Sequence, residues 1–185
     1  MVASHMVNGA WGAGVVACAL ATAACGDLAG HSCEGVYYIC NQTAVALQSP
    51  SDSWTAGTYT LALTVDDTPE QCTIEVPDPP AANGVQGACG LGSNITLALV
   101  SVESCPPVVC NGNACKGMSC TPIPGHFQMT LVVQGVPTHL GLNLSLNGKQ
   151  LTSETIAPKS TTTEPNGAGC GTCTLGSATV SVAGG

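Results

Sequence analysis

Arginine is absent from this chain of 185 residues, and lysine occurs only at Lys116, Lys149 and Lys159. The first absence removes the bidentate guanidinium clamps that hold phosphates and carboxylates, and the arginine fingers of phosphoryl transfer. Three lysines against eleven acidic residues leave a formal net charge of −8. Nucleic acid and anionic membrane surfaces, which need basic patches, are therefore not expected partners. Aromatic residues are scarce too, at 3% of the chain: Trp11, Trp54, Tyr37, Tyr38, Tyr59 and Phe127. A core of Val, Leu, Ile and Ala with so little ring area is light. With 8% charged residues the surface is left to Ser, Thr, Asn, Gln and Gly, a composition closer to a secreted structural or adhesive module than to a cytosolic enzyme. Helical periodicity is missing from every useful window after residue 26.

Cysteine is what the chain has in quantity, with twelve. A cytosolic protein rarely carries so many, because the reducing pool leaves them free and reactive. Cys18 and Cys25 lie in or just after an apolar N-terminal run. Beyond it Cys33, Cys40, Cys72, Cys89, Cys105, Cys110, Cys115, Cys120, Cys170 and Cys173 form an even set, as full pairing requires. Five disulfides are expected, each adding about 2–4 kcal/mol and offsetting the light core. Cys72, facing inward on a strand, is expected to join Cys89 or Cys40. One of Cys170 and Cys173 is expected to tie the C-terminal loop to a distant segment. The rest of the connectivity does not follow from sequence.

The run GAWGAGVVACALATAAC at residues 9–25 is uncharged and built of small apolar residues. It is shorter than the roughly 20 residues a transmembrane helix needs and suits the hydrophobic region of a secretory signal. Ala23-Ala24-Cys25-Gly26 resembles a bacterial lipobox, in which the cysteine is diacylated and becomes the new N-terminus. Thr22 stands where Leu is preferred, and no Lys or Arg precedes the run. Val15-Val16-Ala17-Cys18 fits the pattern slightly better, but cleavage there leaves a short apolar region and eleven unlipidated cysteines, an odd number. The expected organisation is thus a leader over residues 1–25, lipidated at Cys25, followed by one β-domain over 26–185. If that domain divides, it divides near 77–90, a Pro- and Gly-rich loop.

Period-two alternation and turn residues dominate the rest. Short strands are expected at Val36-Tyr37-Tyr38-Ile39-Cys40 and around residues 44–47. In residues 58–65 Tyr59, Leu61, Leu63 and Val65 share a face, and a turn through Asp66-Asp67-Thr68-Pro69-Glu70 leads into a strand on which Cys72, Ile74 and Val76 share a face. Residues 95–102 form a further strand. Residues 105–124 carry four cysteines and four prolines and read as a stapled excursion between two strands, the second resuming at Phe127. Leu140 to Leu146 alternates into Asn147-Gly148, the strongest short hairpin signal, since both turn positions need positive φ. Leu142, Leu144 and Leu146 should face the core. A closing strand covers residues 177–182. Eight or nine strands without helices make an all-β, disulfide-rich antiparallel β-sandwich, Ig-like with Greek-key connections.

Catalytic patterns are weak. Cys170-Gly171-Thr172-Cys173 has the spacing of thioredoxin-type pairs, but no helix follows to stabilise a thiolate. Cys105, Cys110, Cys115 and Cys120 recur every five residues, a spacing open to zinc ligation or to pairing. His5, His31, His126 and His139 are scattered. Gly30-His31-Ser32-Cys33-Glu34-Gly35 is one residue too long for a nucleophile elbow. Asp66, Asp67 and Glu70 offer turn carboxylates for calcium, although adjacent acids in a turn are usually solvated.

Trp54-Thr55-Ala56-Gly57-Thr58-Tyr59, followed by alternating residues and Cys72, resembles a hairpin of Ig-like modules. Gly135-Val136-Pro137-Thr138-His139-Leu140, the Asn147-Gly148 hairpin and Glu164-Pro165-Asn166-Gly167-Ala168-Gly169-Cys170-Gly171-Thr172-Cys173 resemble the second half of myxobacterial-type lipoproteins of unknown function, with an Ig-like or transthyretin-like β-sandwich. The resemblance covers residues 50–175. It implies a lipobox ahead of the sandwich and brings no catalytic residue with it. The expected function is that of a non-enzymatic structural or interaction module, exported to the outer membrane or cell surface as a lipoprotein, or secreted. It would need no cofactor, touch a membrane only through its lipid, and meet a protein or surface partner. The alternative is a secreted protein binding a small ligand or metal through residues 105–124.

Overall fold

A computed structural model describes residues 40–81, 84–90, 94–106, 110–111, 114–115, 120–164 and 171–183. The leader expected over residues 1–25, the lipobox expected at Cys25 and the strand expected at residues 36–40, except Cys40 itself, lie outside them. The described elements are β1 (Gln42–Gln48), β2 (Gly57–Val65), β3 (Thr68–Val76), β4 (Val85–Gln86), β5 (Ala88–Cys89), β6 (Ile95–Ser104), β7 (Cys110–Asn111), β8 (Ala114–Cys115), β9 (Thr121–Gln134), β10 (Leu140–Leu146), β11 (Lys149–Ile156), β12 (Lys159–Thr163) and β13 (Cys173–Ser181). All are strands.

They form a six-stranded sheet in the order β12-β13-β1-β9-β6-β4 and a five-stranded sheet in the order β11-β10-β2-β3-β5. Every ladder is antiparallel except β1 with β13, which runs parallel. That exception departs from the all-antiparallel expectation and is topologically simple, because almost the whole domain lies between the two strands and supplies the crossover.

Alternation places the core. Tyr59, Leu61 and Leu63 on β2, Cys72, Ile74 and Val76 on β3, and Leu140, Leu142 and Leu144 on β10 are buried on the inner face of the five-stranded sheet. Val45 and Leu47, Leu97 and Leu99, Met129, Leu131 and Val133, and Val180 come from the other sheet into the same cluster. The Pro- and Gly-rich stretch does not separate these groups: β4 pairs with β6 in one sheet and β5 with β3 in the other.

Two hairpins share one device. Asn147 and Gly148 have φ of 48° and 81°, and Asp66 and Asp67 have 43° and 71°. Positive φ at both central residues is the type I′ geometry that matches strand twist. The β2–β3 turn is shorter than the five residues 66–70 expected: Thr68, Pro69 and Glu70 already pair with Val65, Thr64 and Leu63, because two residues of positive φ suffice to reverse the chain. Leu146 packs against the core only partly, and a bulge falls between Leu144 and Ser145 of the β10–β11 ladder. A Cβ built on Gly148 meets nothing within 4 Å, so Gly148→Ala should cost only left-handed backbone strain, about 1 kcal/mol. Urea denaturation of that variant measures the cost; a loss of several kcal/mol would mean that the turn is held by more than its dihedrals.

The connection between β1 and β2 plugs an end of the sandwich. The β1–β9 ladder stops at Leu47 opposite Met129, which leaves Phe127 without a β1 partner. Its amide N–H donates to the Asp52 carbonyl at 2.7 Å, and its carbonyl accepts from the Trp54 indole at 3.1 Å. Trp54 stacks edge-on against Tyr59, ring centroids 5.5 Å apart. The Tyr59 hydroxyl donates to the Thr55 carbonyl at 2.9 Å. Burial raises the Tyr59 pKa, outweighing that bond, which lowers it.

Candidate functional site

Beyond the core, β6 and β9 run on as a two-stranded ribbon. At Ser101 and Phe127 their ladder breaks, so that residues 123–126 stand opposite Val102 alone. Gly125, at φ 79°, lies in this bulge. Pairing resumes with Glu103 opposite Pro122 and Ser104 opposite Thr121. One step further Cys105 and Cys120 are joined by a disulfide, their Cα atoms 4.2 Å apart. Beyond them Cys110 stands opposite Cys115 in the β7–β8 ladder. The five-residue recurrence centres both cysteine pairs on the same point of the chain: Cys105 and Cys120 meet one residue past the end of the β6–β9 ladder, and Cys110 stands opposite Cys115 in the β7–β8 ladder. Reading this segment as a strand-free excursion missed β7, β8 and the first residues of β9, since Pro122 and Pro124 mask the strand pattern. The equal spacing was the signal that could have revealed them.

Glu103 precedes Cys105 by two residues on the strand, the separation that puts side chains on one face. One carboxylate oxygen of Glu103 and the Sγ atoms of Cys105 and Cys120 all lie within 4.8 Å of one another. All three residues are half-buried.

The other paired cysteines hold the sandwich itself. Cys40 is bonded to Cys173 across a sequence separation of 133, which ties the first described residue to the last strand. Cys72 is bonded to Cys89, its direct opposite in the β3–β5 ladder, and Cys72 is fully buried. Cys25, Cys33 and Cys170 lie outside the described residues; Cys173 is bonded to Cys40, which takes its sulfur out of the candidate Cys170–Cys173 redox pair. Disulfides at three separate places belong to an oxidising environment.

Asp66 has a structural task. Its Oδ1 accepts from the Thr138 amide at 2.9 Å, the Thr138 hydroxyl at 2.8 Å and the His139 amide at 3.0 Å. Sequence reasoning offered this carboxylate to calcium; the fold uses it to lock the β2–β3 turn onto the β9–β10 connection. The Thr138 hydroxyl and the His139 amide bonds lower its pKa from the usual 3.8, against a smaller desolvation effect that raises it. A depressed folded pKa contributes stability in full above the unfolded value, and that contribution is lost as pH falls through the folded one. Asp66→Ala should lower the urea midpoint at neutral pH and flatten its fall below pH about 4. Midpoints measured from pH 2 to pH 7 check this; an unchanged acid slope would assign no such coupling to Asp66.

His126 faces Asp52 at 3.5 Å with both side chains about half exposed, and His139 is exposed. Neither meets a nucleophile among the described residues. A shallow depression of about 210 Å³ opens beside Gly141, lined by groups that include Thr64, Asn143, Ser153 and Glu154. Hydroxyl, amide and carboxylate groups of this kind bind by hydrogen bonding. In comparisons with known proteins the chain matches no family model, no curated protein and no solved structure.

Proposed function

We propose that the chain is a non-enzymatic interaction module exported to a cell surface, anchored by lipid on Cys25, which meets its partner through the ribbon formed by β6, β7, β8 and β9. The observation that carries this reading is the ribbon itself. It continues beyond the last buried residues of its two strands, Leu99 and Phe127, and is stapled at its base by Cys105–Cys120. A stapled ribbon is pre-organised, so a partner that binds it is spared much of the cost of ordering a loop. The Ala23-Ala24-Cys25-Gly26 pattern and the resemblance to myxobacterial-type lipoproteins supply the anchor. An even set of ten cysteines beyond Cys25 fits an oxidising compartment.

The test is made in a bacterial host that exports the natural chain. Metabolic labelling with a fatty-acid analogue should mark the wild type and spare Cys25→Ser, and surface proteolysis should cut the labelled protein in intact cells. An unlabelled wild type, or a labelled chain shielded in intact cells, would remove the anchored surface module.

A further inference from the structure

We propose that reduction of the Cys105–Cys120 bridge turns the base of the ribbon into a binding site for a thiophilic divalent ion such as zinc, with Cys105 Sγ, Cys120 Sγ and a Glu103 carboxylate oxygen as its three protein ligands. The site is independent of lipid anchoring.

Three observations lead there. The donor atoms already converge, all within 4.8 Å of one another. A tetrahedral ion with bonds of about 2.3 Å to sulfur and about 2.0 Å to oxygen needs its donors roughly 3.5–3.8 Å apart. Rotating the freed cysteine side chains about χ1 moves two sulfurs from bonding contact to that separation while the ladder stays paired. The backbone fits as well: Cys105 and Cys120 are opposed with Cα atoms 4.2 Å apart, and Glu103 shares the face of Cys105. Two thiolates and one carboxylate bring three negative charges to the ion, with a fourth position left for water.

The third observation is where this bridge lies. Cys72 is 0% exposed and Cys173 is 2% exposed, so each of the other two described bridges has a sulfur that an attacking thiolate reaches poorly. Both half-cystines at the ribbon base are half-buried, and neither belongs to the core cluster. The more accessible a bridge, the more labile it is, and opening this one leaves the sandwich core and the bridges Cys40–Cys173 and Cys72–Cys89 in place.

The step balances with a dithiol as reductant. Its thiolate attacks one sulfur of the bridge, a mixed disulfide forms, and its second thiol displaces the protein sulfur as the reductant closes to its own cyclic disulfide. Two electrons pass to the cysteine pair, and the reductant's two thiol protons end on Cys105 and Cys120. The arriving ion displaces both protons to solvent.

Cobalt(II) is the probe, because tetrahedral thiolate ligation gives visible and near-ultraviolet absorption bands. The full chain is treated briefly with a dithiol, desalted without oxygen and titrated with cobalt and then zinc. The reduced wild type should take up one cobalt per chain with thiolate bands that zinc abolishes, and the oxidised protein should show none. Glu103→Gln should weaken binding by about tenfold or more, and the Cys105→Ala/Cys120→Ala double variant should lose the bands. Alkylation and peptide mass mapping after the brief reduction should find Cys105 and Cys120 modified before Cys72 and Cys173. Bands in the oxidised protein, bands retained by the double variant, unchanged affinity in Glu103→Gln, or earlier opening of the core bridges would each overturn the assignment.

Discussion

Replacing Cys40 and Cys173 together by alanine is expected to lower stability by about 5 kcal/mol and the melting temperature by roughly 10–20 °C. The bridge closes a loop with a sequence separation of 133, and the entropy removed from the unfolded chain grows with the logarithm of loop length. The bridges Cys72–Cys89 and Cys105–Cys120 span 17 and 15 residues, for which the same relation gives about 3 kcal/mol each. The native state keeps the neighbouring bonds without the sulfur link: the Asn41 amide still donates to the Thr174 carbonyl at 2.9 Å, and the Gly135 amide to the Asn41 carbonyl. The loss therefore arises mainly in the unfolded ensemble. Thermal and urea unfolding of the three double-alanine variants should rank Cys40/Cys173 as the most destabilised. If it costs no more than Cys105/Cys120, chain closure is not the source of the stabilisation.

Tyr59→Ala is expected to cost about 3–5 kcal/mol, and Tyr59→Phe about 1 kcal/mol. Tyr59 is fully buried, and Trp54 and Phe127 are the only other aromatic residues of the core cluster among the described residues. Its removal deletes the largest fully buried side chain among the described residues and leaves the edge of Trp54, 5.5 Å away, without its stacking partner. The loop that caps Phe127 then loses both its packing surface and the Tyr59–Thr55 bond. Phenylalanine keeps the packing and leaves only the Thr55 carbonyl unpaired. Urea denaturation of both variants separates the two contributions. A loss under about 1.5 kcal/mol for Tyr59→Ala, well below the usual range for large-to-small core changes, would mean that the core collapses into the space and that scarce aromatics are not decisive here.

Much of the fold was legible from residues 57–76 and 140–156. There, alternation and turn residues specify strands through interactions within a hairpin, although composition gives the turn after Val65 five residues and the fold takes only Asp66 and Asp67. Asn147-Gly148 announces itself chemically, because both positions must tolerate positive φ, and Leu142 and Leu144 follow from the period of two. β12 was not anticipated. All five of its residues are exposed, so it carries no apolar alternation and exists because β13 offers an edge to pair with. β4 and β5 escaped for a different reason: two residues each are too few to show a period.

The candidate site divides along the same line. That the cysteines form an even set, that Cys72 faces inward and that residues 105–124 are stapled are properties of count, period and composition, and they are contained in the chain. Which sulfurs meet is decided by register. Cys72 was left between Cys40 and Cys89; the β3–β5 ladder puts Cys89 opposite it. Cys40 goes instead to Cys173, because the parallel pairing of β1 with β13 brings the two ends of the domain side by side. Asp66 makes the same point for a polar group. As a turn residue it reads as solvated, and only the packing of the β2–β3 turn against Thr138 and His139, more than seventy residues later, gives it three donors. Periodicity and turn chemistry act over a few residues and are written locally. Partners far apart in sequence are chosen by sheet order, which no local pattern contains.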